Sequence, residues 1–271
     1  MVWEMRAPTA ADIAERITLP PALADEWSNR EYYGTINHNV KAIHQKYLGW
    51  FDGNPANLHP HPPVEQATRI VRYMGGAEAA LALARTDFAA GDYRWVAELL
   101  NHLVFADPTN TAARELQADT FEQLGYQSES ATFRNAYLTG AQELRNGTLP
   151  SRPVRRTGYQ DAMTVEQMFD TLAVRLKAEE VGGSSVLLNF TFTDVGEQWV
   201  LGLSNRALHA VPGRHDDAAA ASFTLTRSQL LAVIDGEGSW DDVDCSGNAT
   251  AADAIFGHLD TFMSMFPLVE P

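Results

Sequence analysis

Cysteine is almost absent from this chain, since Cys245 is the only one among 271 residues. One thiol cannot close an intramolecular disulfide, and it cannot build a thiolate-rich zinc site. Long apolar runs are missing too, because none approaches the ~18 residues that cross a bilayer. Residues 1–6 also lack the apolar core of a signal peptide. These absences predict a cytoplasmic chain with no membrane span and no disulfide framework.

Positive charge is scarce as well. The chain has 20 lysines and arginines against 35 aspartates and glutamates, which gives a formal net charge of −15. A surface this acidic repels phosphate backbones and anionic lipids, so nucleic-acid binding is not expected. Apolar residues are plentiful, at 45% of the total, and 10% of the chain is aromatic. This content excludes disorder, and the length predicts one large or two ordinary domains.

The composition changes near residue 150, where we expect the chain to divide. The segment from Gly147 to Gly158 holds two prolines, two glycines and three arginines, and it has no sustained apolar period. We interpret residues 149–160 as a linker. It would separate a helical domain at residues 1–148 from a second domain at residues 161–271.

The first domain shows the apolar period of helices. Thr9 and Asp12 have the spacing that caps a first helix, and apolar residues recur over residues 36–51 close to the 3.6-residue period. A weak repeat follows, because Gly91 and Gly125 lie 34 residues apart within a helix–Gly–helix pattern that resembles tetratricopeptide repeats. Two repeats are too few for an independent solenoid. We therefore expect these helices to pack on the preceding ones or on another chain.

The second domain shows the alternating pattern of strands. Alternation at residues 186–193, 199–203, 207–211, 222–226 and 242–246 predicts about five strands. Helices are predicted at residues 165–176, 227–235 and 251–263. The expected fold class is a helical domain followed by an α+β domain whose roughly five-stranded sheet is packed by helices.

Several blocks of sequence carry a resemblance to a known family. They are residues 32–55, which include Tyr-Tyr-Gly-Thr-Ile-Asn-His-Asn-Val, residues 73–76 and 91–108, Phe-Thr-Asp-Val-Gly-Glu at 192–197, and Phe-Pro-Leu-Val-Glu-Pro at 266–271. Over essentially the whole chain the sequence resembles the linear alkyl sulfatases of the metallo-β-lactamase superfamily. The resemblance implies a zinc hydrolase domain, a tetratricopeptide-like helical dimerisation domain and a sterol-carrier-like C-terminal domain. It places the tail end of the hydrolase at about residues 1–55.

The same resemblance implies two site residues. His38, in Asn-His-Asn, matches the last zinc ligand of the family, but zinc sites use at least three protein ligands, so in this chain we favour a hydrogen-bonding role at a helix start. Arg94 matches a sulfate contact, and the alternative is an ion pair with Asp92 or Glu98; both stay open. The family's His-x-His-x-Asp-His cluster is absent. Zinc is therefore expected in a complete enzyme and not in this chain alone.

The second domain has a candidate apolar ligand surface, as in lipid carriers of this shape. It comprises Phe190, Phe192, Trp199, Leu201 and Phe223. The alternative, which we favour, is a packed core or a narrow cavity. Alternation alone cannot separate the two, because a tunnel and a filled core need the same pattern.

Two further groups are weighed in the same way. Tyr32, Tyr33 and Trp50 could border a substrate entrance, but aromatic residues at helical spacing favour a core position. His59-x-His61 has metal-ligand spacing, but it is followed by prolines and lacks further ligands, so a surface or packing role is favoured.

These observations lead to one main hypothesis and two alternatives. The main one is the dimerisation and amphiphile-gathering portion of an alkyl sulfatase, catalytically incomplete by itself. It predicts a homodimer and an amphiphilic small molecule, such as an alkyl sulfate, as partners. The alternatives are a standalone protein- or lipid-binding module and an incomplete gene product with a misplaced start codon.

Overall fold

The computed structural model describes residues 9–150, 162–261 and 265–271, which fall into two compact units. The helical unit contains residues 9–150 together with residues 265–271. The α+β unit contains residues 162–261. The units divide near residue 150, and residues 265–271 group with the helical unit, whereas the sequence predicts them to lie in the second domain. The predicted linker lies mostly outside the described residues.

The helical unit begins with two short helices and one longer one. Helix α1 spans Ala10–Arg16, α2 spans Pro21–Ala24 and α3 spans Ile36–Leu48. Thr9 caps α1 in a reciprocal capping box with Asp12, as predicted. Thr35 caps α3 by accepting a hydrogen bond from the His38 backbone N–H at 2.9 Å.

Five longer helices complete this unit. They are α4 (Pro63–Tyr73), α5 (Ala77–Ala90), α6 (Tyr93–Ala106), α7 (Thr111–Gln127) and α8 (Ala131–Asn146). Helix α6 packs against α4, α5 and α7, and α7 packs against α8. The core contains leucine and valine from α6 and small residues from its neighbours, which let the helix axes approach closely: Val96, Leu99, Leu100, Leu103, Val104, Ala80, Ala84, Ala113 and Ala118.

Gly91 explains how the first predicted repeat turns. It ends α5 in the left-handed conformation, with φ at +84°, a region that glycine enters without a steric penalty. The predicted partner, Gly125, differs because it lies inside α7, where the Leu138 side chain of α8 packs against it. Gly91 therefore ends a helix, whereas Gly125 lies at a close contact between two helices, and the repeat is only approximate.

The α+β unit opens with helix α9 (Val165–Arg175) and contains a five-stranded sheet. The strands are β1 (Val186–Phe192), β2 (Glu197–Ser204), β3 (Ala207–Pro212), β4 (Ala221–Leu225) and β5 (Asp244–Gly247). Their order is β3-β2-β1-β4-β5, with β1 and β4 parallel and the other neighbours antiparallel. The predicted fold class is confirmed, and the predicted strands lie within two residues of the observed ones.

The helices after β4 agree less evenly with the sequence. Helix α10 (Arg227–Ile234) starts where expected, with a capping box between Thr226 and Gln229. The helix predicted at residues 251–263 is wrong in length, because α11 spans only Asp253–Phe256. After Gly257 the backbone turns and pairs with the end of α9, where Leu259 forms an isolated bridge with Leu176. Residues 262–264 lie outside the described part.

No helix in the described ranges is long and apolar enough to cross a membrane.

Candidate functional site

The two predicted site residues, His38 and Arg94, lie on α3 and α6, and the Glu15 carboxylate hydrogen-bonds a side chain of each helix. Glu15, near the end of α1, accepts hydrogen bonds from Arg94 on α6 at 3.1 Å and from the Asn37 side chain on α3 at 3.4 Å. Asn37 directly precedes His38 in the first turn of α3. The fold thus ties the start of α3 to the start of α6, although the two sequence blocks are far apart.

His38 lies in the solvent-exposed first turn of α3. Its backbone N–H bonds the Thr35 hydroxyl, and its imidazole meets the Phe133 ring edge-on, with ring centroids 5.4 Å apart. The hydrogen bond at the helix start comes from the His38 backbone, so it does not test the role of the imidazole. The described residues contain no group of three or more histidine, cysteine, aspartate or glutamate side chains able to hold a metal. They therefore do not fit a zinc site by themselves, since such a site needs at least three protein ligands.

Arg94 forms an ion pair, but not with either residue expected from the sequence. Its partner is Glu15, and neither Asp92 nor Glu98 takes that place among the ion pairs of the described chain. The two side chains are 72% and 54% exposed. An exposed pair of this kind contributes little to stability. Because the Arg94 side chain is largely exposed, its guanidinium keeps hydrogen-bond donors accessible at the surface.

The loop before α3 is fixed to the start of α8. The Tyr33 carbonyl accepts hydrogen bonds from the hydroxyls of Ser130, at 2.8 Å, and Thr132, at 2.7 Å. The Ala131 N–H donates to the Tyr32 carbonyl at 2.8 Å. Sequence reasoning missed these contacts. Ser130 is recognisable as an N-cap residue, but nothing local indicates that its hydroxyl also bonds a loop 97 residues away.

A second ion pair accompanies this loop, since Arg30 bonds Glu129. Both residues line an open cleft of about 370 Å³ beside α1 and the start of α3, together with Ile17, Asn37 and several others. Neither His38 nor Arg94 lines this cleft.

The far end of α3 carries an exposed apolar stripe. We call Ile43, Tyr47 and Trp50 the α3 stripe; these side chains are 57%, 74% and 71% exposed. The spacing of four residues places Ile43 and Tyr47 on one face of α3, and Trp50 follows Gly49 just after the helix ends at Leu48. No residue of α3 is buried. The core position favoured for Trp50 is therefore wrong, and Tyr32 and Tyr33 are exposed as well.

The predicted apolar ligand residues have the opposite environment. All five are buried, and the Phe190 ring contacts Phe223 at 5.4 Å between centroids. Phe169 of α9 meets Phe190 at 5.5 Å and Trp199 at 5.6 Å. In this structure the group is a packed core, as favoured from the sequence, and not an exposed ligand surface. The residues are Phe190, Phe192, Trp199, Leu201 and Phe223.

His61 and Cys245 are the remaining side chains that the sequence singles out. His61 pairs with Glu65 one helical turn away at 3.5 Å, and both side chains are about half exposed. The Arg69 guanidinium, with a smaller contribution from His61, lowers the pKa of Glu65. Cys245 lies partly buried on β5, where burial raises the pKa of its thiol. Neither group forms a site within the described ranges.

Comparison with known proteins identifies the class to which these units belong. The chain belongs to the alkyl sulfatase dimerisation family, whose sequence model matches residues 9–147. The model of the alkyl sulfatase C-terminal domain matches residues 154–271. The resemblance stated above is thus confirmed: the chain corresponds to the C-terminal part of alkyl sulfatases.

Individual relatives agree with that assignment. The alkyl/aryl-sulfatase BDS1 of Saccharomyces cerevisiae is 48% identical over 97% of this chain and 42% of its own length. A linear primary-alkylsulfatase of Pseudomonas sp. is 44% identical over 97% of this chain and 40% of its own. The solved structure of the stereoselective inverting sec-alkylsulfatase Pisa1 from Pseudomonas sp. matches with a TM-score of 0.91 and 41% identity, covering 97% of this chain and 43% of that one. The chain therefore spans about two fifths of the length of these relatives.

Proposed function

We propose that this chain is the dimerisation and amphiphile-gathering part of an alkyl sulfatase, and that sulfuric ester hydrolysis requires a zinc domain supplied by other residues. Two findings together support the proposal. Residues 9–147 match the dimerisation family, and the apolar stripe on α3 is exposed. Large apolar side chains gain roughly 1.5–3 kcal/mol each when they are fully removed from water. Burial of the α3 stripe against a second copy therefore provides a driving force for a homodimer.

His38 would contribute one imidazole to a zinc site completed from outside the described residues. The proposal rests on the family resemblance of Asn-His-Asn and on the solvent exposure of His38 at the start of α3. A neutral imidazole suits zinc. Arg94 would contact the sulfate group, since its side chain is exposed and Glu15 bonds only one of its guanidinium nitrogens.

Gathering of an amphiphilic substrate is the second part of the proposal. The aromatic residues of the α+β unit pack against one another, so an alkyl chain enters that core only if the rings separate. Native mass spectrometry of the chain with dodecanol and with dodecyl sulfate tests this directly. A stoichiometric complex supports gathering, and a persistent apo mass with both ligands contradicts it.

Complementation tests the sulfatase part. The chain alone, with added zinc, is expected to release no sulfate from dodecyl sulfate above a zinc-only blank. Addition of a separately expressed hydrolase domain from a relative is expected to restore sulfate release. Turnover by the chain alone contradicts the proposal that it is catalytically incomplete.

A matched pair of variants then tests His38. We expect His38→Ala to abolish the restored activity, whereas His44→Ala, two turns further along α3, leaves it within a few-fold. Equal effects of the two substitutions would contradict the assignment of His38 as a ligand.

A further inference from the structure

The last described residues of the chain return to the helical unit and lie on α7 and α8. The backbone N–H groups of Leu268 and Val269 both donate to Glu143 Oε1, at 2.7 and 3.0 Å. Glu143 belongs to α8 and is only 5% exposed. Two successive backbone N–H groups of the segment therefore converge on one carboxylate oxygen of the helix.

The Val269 side chain has its own place on α8. A Cβ atom added at Gly140 would lie 3.1 Å from Val269 Cγ1 and equally close to the Phe121 ring. Glycine is unfavourable inside a helix, where it has the greatest conformational freedom to lose. The close approach of Val269 explains why glycine occupies position 140.

The next residue adds a charge contact. Glu270 forms an ion pair with Arg114 of α7, and both side chains are about four-fifths buried. Arg114 also donates to the Leu144 carbonyl at 2.9 Å, which fixes the guanidinium in place. Charge-assisted bonds in partly desolvated surroundings are stronger than exposed ones.

We propose that α7 and α8 carry a peptide-binding groove, and that the chain's own residues 268–270 occupy it through two backbone N–H groups and the side chains of Val269 and Glu270. The groove reads three features of its ligand: two adjacent backbone N–H groups through Glu143, a β-branched side chain through Gly140, and an acidic side chain through Arg114. Its ligand class is a short peptide with an aliphatic residue followed by a carboxylate. This inference does not depend on the sulfatase proposal.

The first test uses the full chain and amide hydrogen exchange. In Glu143→Leu the amides of Leu268 and Val269 lose their common acceptor, so we expect them to exchange at least about tenfold faster. The matched control is Gln142→Leu, on the exposed side of the same helix turn. Amides of α6 report that the unit remains folded in both variants. Unchanged exchange at Leu268 and Val269 in Glu143→Leu overturns the proposal.

The second test separates recognition from ordinary packing. A fluorescent peptide of residues 266–271 is titrated into a chain that lacks residues 265–271, after circular dichroism shows that the shortened chain is folded. We expect saturable binding to the shortened chain and none to the full chain, whose groove is filled. Peptides with Val269→Asp or Glu270→Lys are expected to bind at least about tenfold more weakly. Equal binding of all three peptides, or no binding at all, overturns the proposal.

Dilution identifies the source of the segment. If it comes from the same chain, exclusion of the peptide from the full chain is the same at low and high protein concentration. If it comes from a second copy, exclusion is lost on dilution, and that result overturns the assignment to the chain's own residues.

Discussion

Helices α3 and α9 share the same local sequence features but differ in burial. Each follows a threonine N-cap, Thr35 or Thr164, and each carries apolar residues at helical spacing. In α9 the stripe is buried within its own unit, where Phe169 contacts three aromatic side chains of the sheet. In α3 no residue is buried. The two helices show that apolar periodicity alone does not establish whether a helix face is buried within its own unit.

The contrast extends to the units that contain these helices. The α+β unit surrounds Phe169 with the rings of Phe190, Phe192 and Trp199, so its core is complete. The helical unit leaves the α3 stripe in solvent and also buries an unpaired amide, since neither polar atom of the Gln117 side chain has a hydrogen-bond partner in the described chain. The helical unit therefore leaves apolar surface exposed and buried polar atoms without a partner among the described residues.

The largest expected effect breaks the complete core. Phe169→Ala removes a buried ring from the centre of the aromatic cluster, which should cost about 3–5 kcal/mol of unfolding free energy in the α+β unit. Val174→Ala, an exposed position on the same helix, should change it by less than about 0.5 kcal/mol. Urea unfolding followed by tryptophan fluorescence measures both. Similar small changes in the two variants would contradict the packed-core description.

A smaller change in unfolding free energy, of opposite sign, is expected at the buried Gln117 of the helical unit. Gln117→Met keeps the side-chain length and removes two unpaired polar atoms from the interior of the helical unit. We expect the unfolding free energy to rise by about 1 kcal/mol, because a buried polar group without a partner carries its full desolvation cost. The thermal midpoint is the readout. A fall in stability would indicate that Gln117 has a polar partner, such as a bound water.

A pH dependence follows from His102, which is half-buried on α6. Partial burial lowers the pKa of its imidazole from 6.5, and the nearby Glu98 carboxylate opposes that shift in part. The unfolded chain then binds more protons than the folded one just below pH 6.5, so stability falls as the pH drops through this window. Denaturant titrations at several pH values measure the slope, and His102→Gln should flatten it. A slope unchanged in His102→Gln would assign the effect to another group.

The smallest expected effect is at the predicted sulfate contact. Arg94→Gln breaks the exposed pair with Glu15, which should cost less than about 1 kcal/mol of stability. The same substitution should lower sulfate release in the complementation assay by at least about tenfold if Arg94 contacts the sulfate group. A large loss of stability with unchanged turnover would instead make Arg94 a structural residue.

Local patterns were sufficient to predict most of the fold. Alternation is clearest in β4, where buried and less buried residues follow one another, whereas five successive residues of β2 are buried. The cap of α1 follows from Thr9 and Asp12, which are three residues apart. The family resemblance added His38 and Arg94, which periodicity alone does not distinguish from other surface residues.

The rest depends on contacts between distant parts of the chain. The last helix stops early because its continuation pairs with Leu176, more than eighty residues before it. Arg94 prefers Glu15 over its sequence neighbours, at a separation of 79 residues. The chain end contacts Glu143 across 125 residues. No local signal contains these partners, so sequence reasoning could not supply them.

A homodimer of this chain would bury the α3 stripe against a second copy. Size-exclusion chromatography with light scattering tests it, with Tyr47→Asp as the disrupting variant. Leu83→Asp, at an exposed leucine of α5, is the matched control. We predict a mass near twice 29.8 kDa for the unaltered chain and for the control, and 29.8 kDa for Tyr47→Asp. A monomeric unaltered chain, or a Tyr47→Asp dimer as stable as the control, would contradict the account.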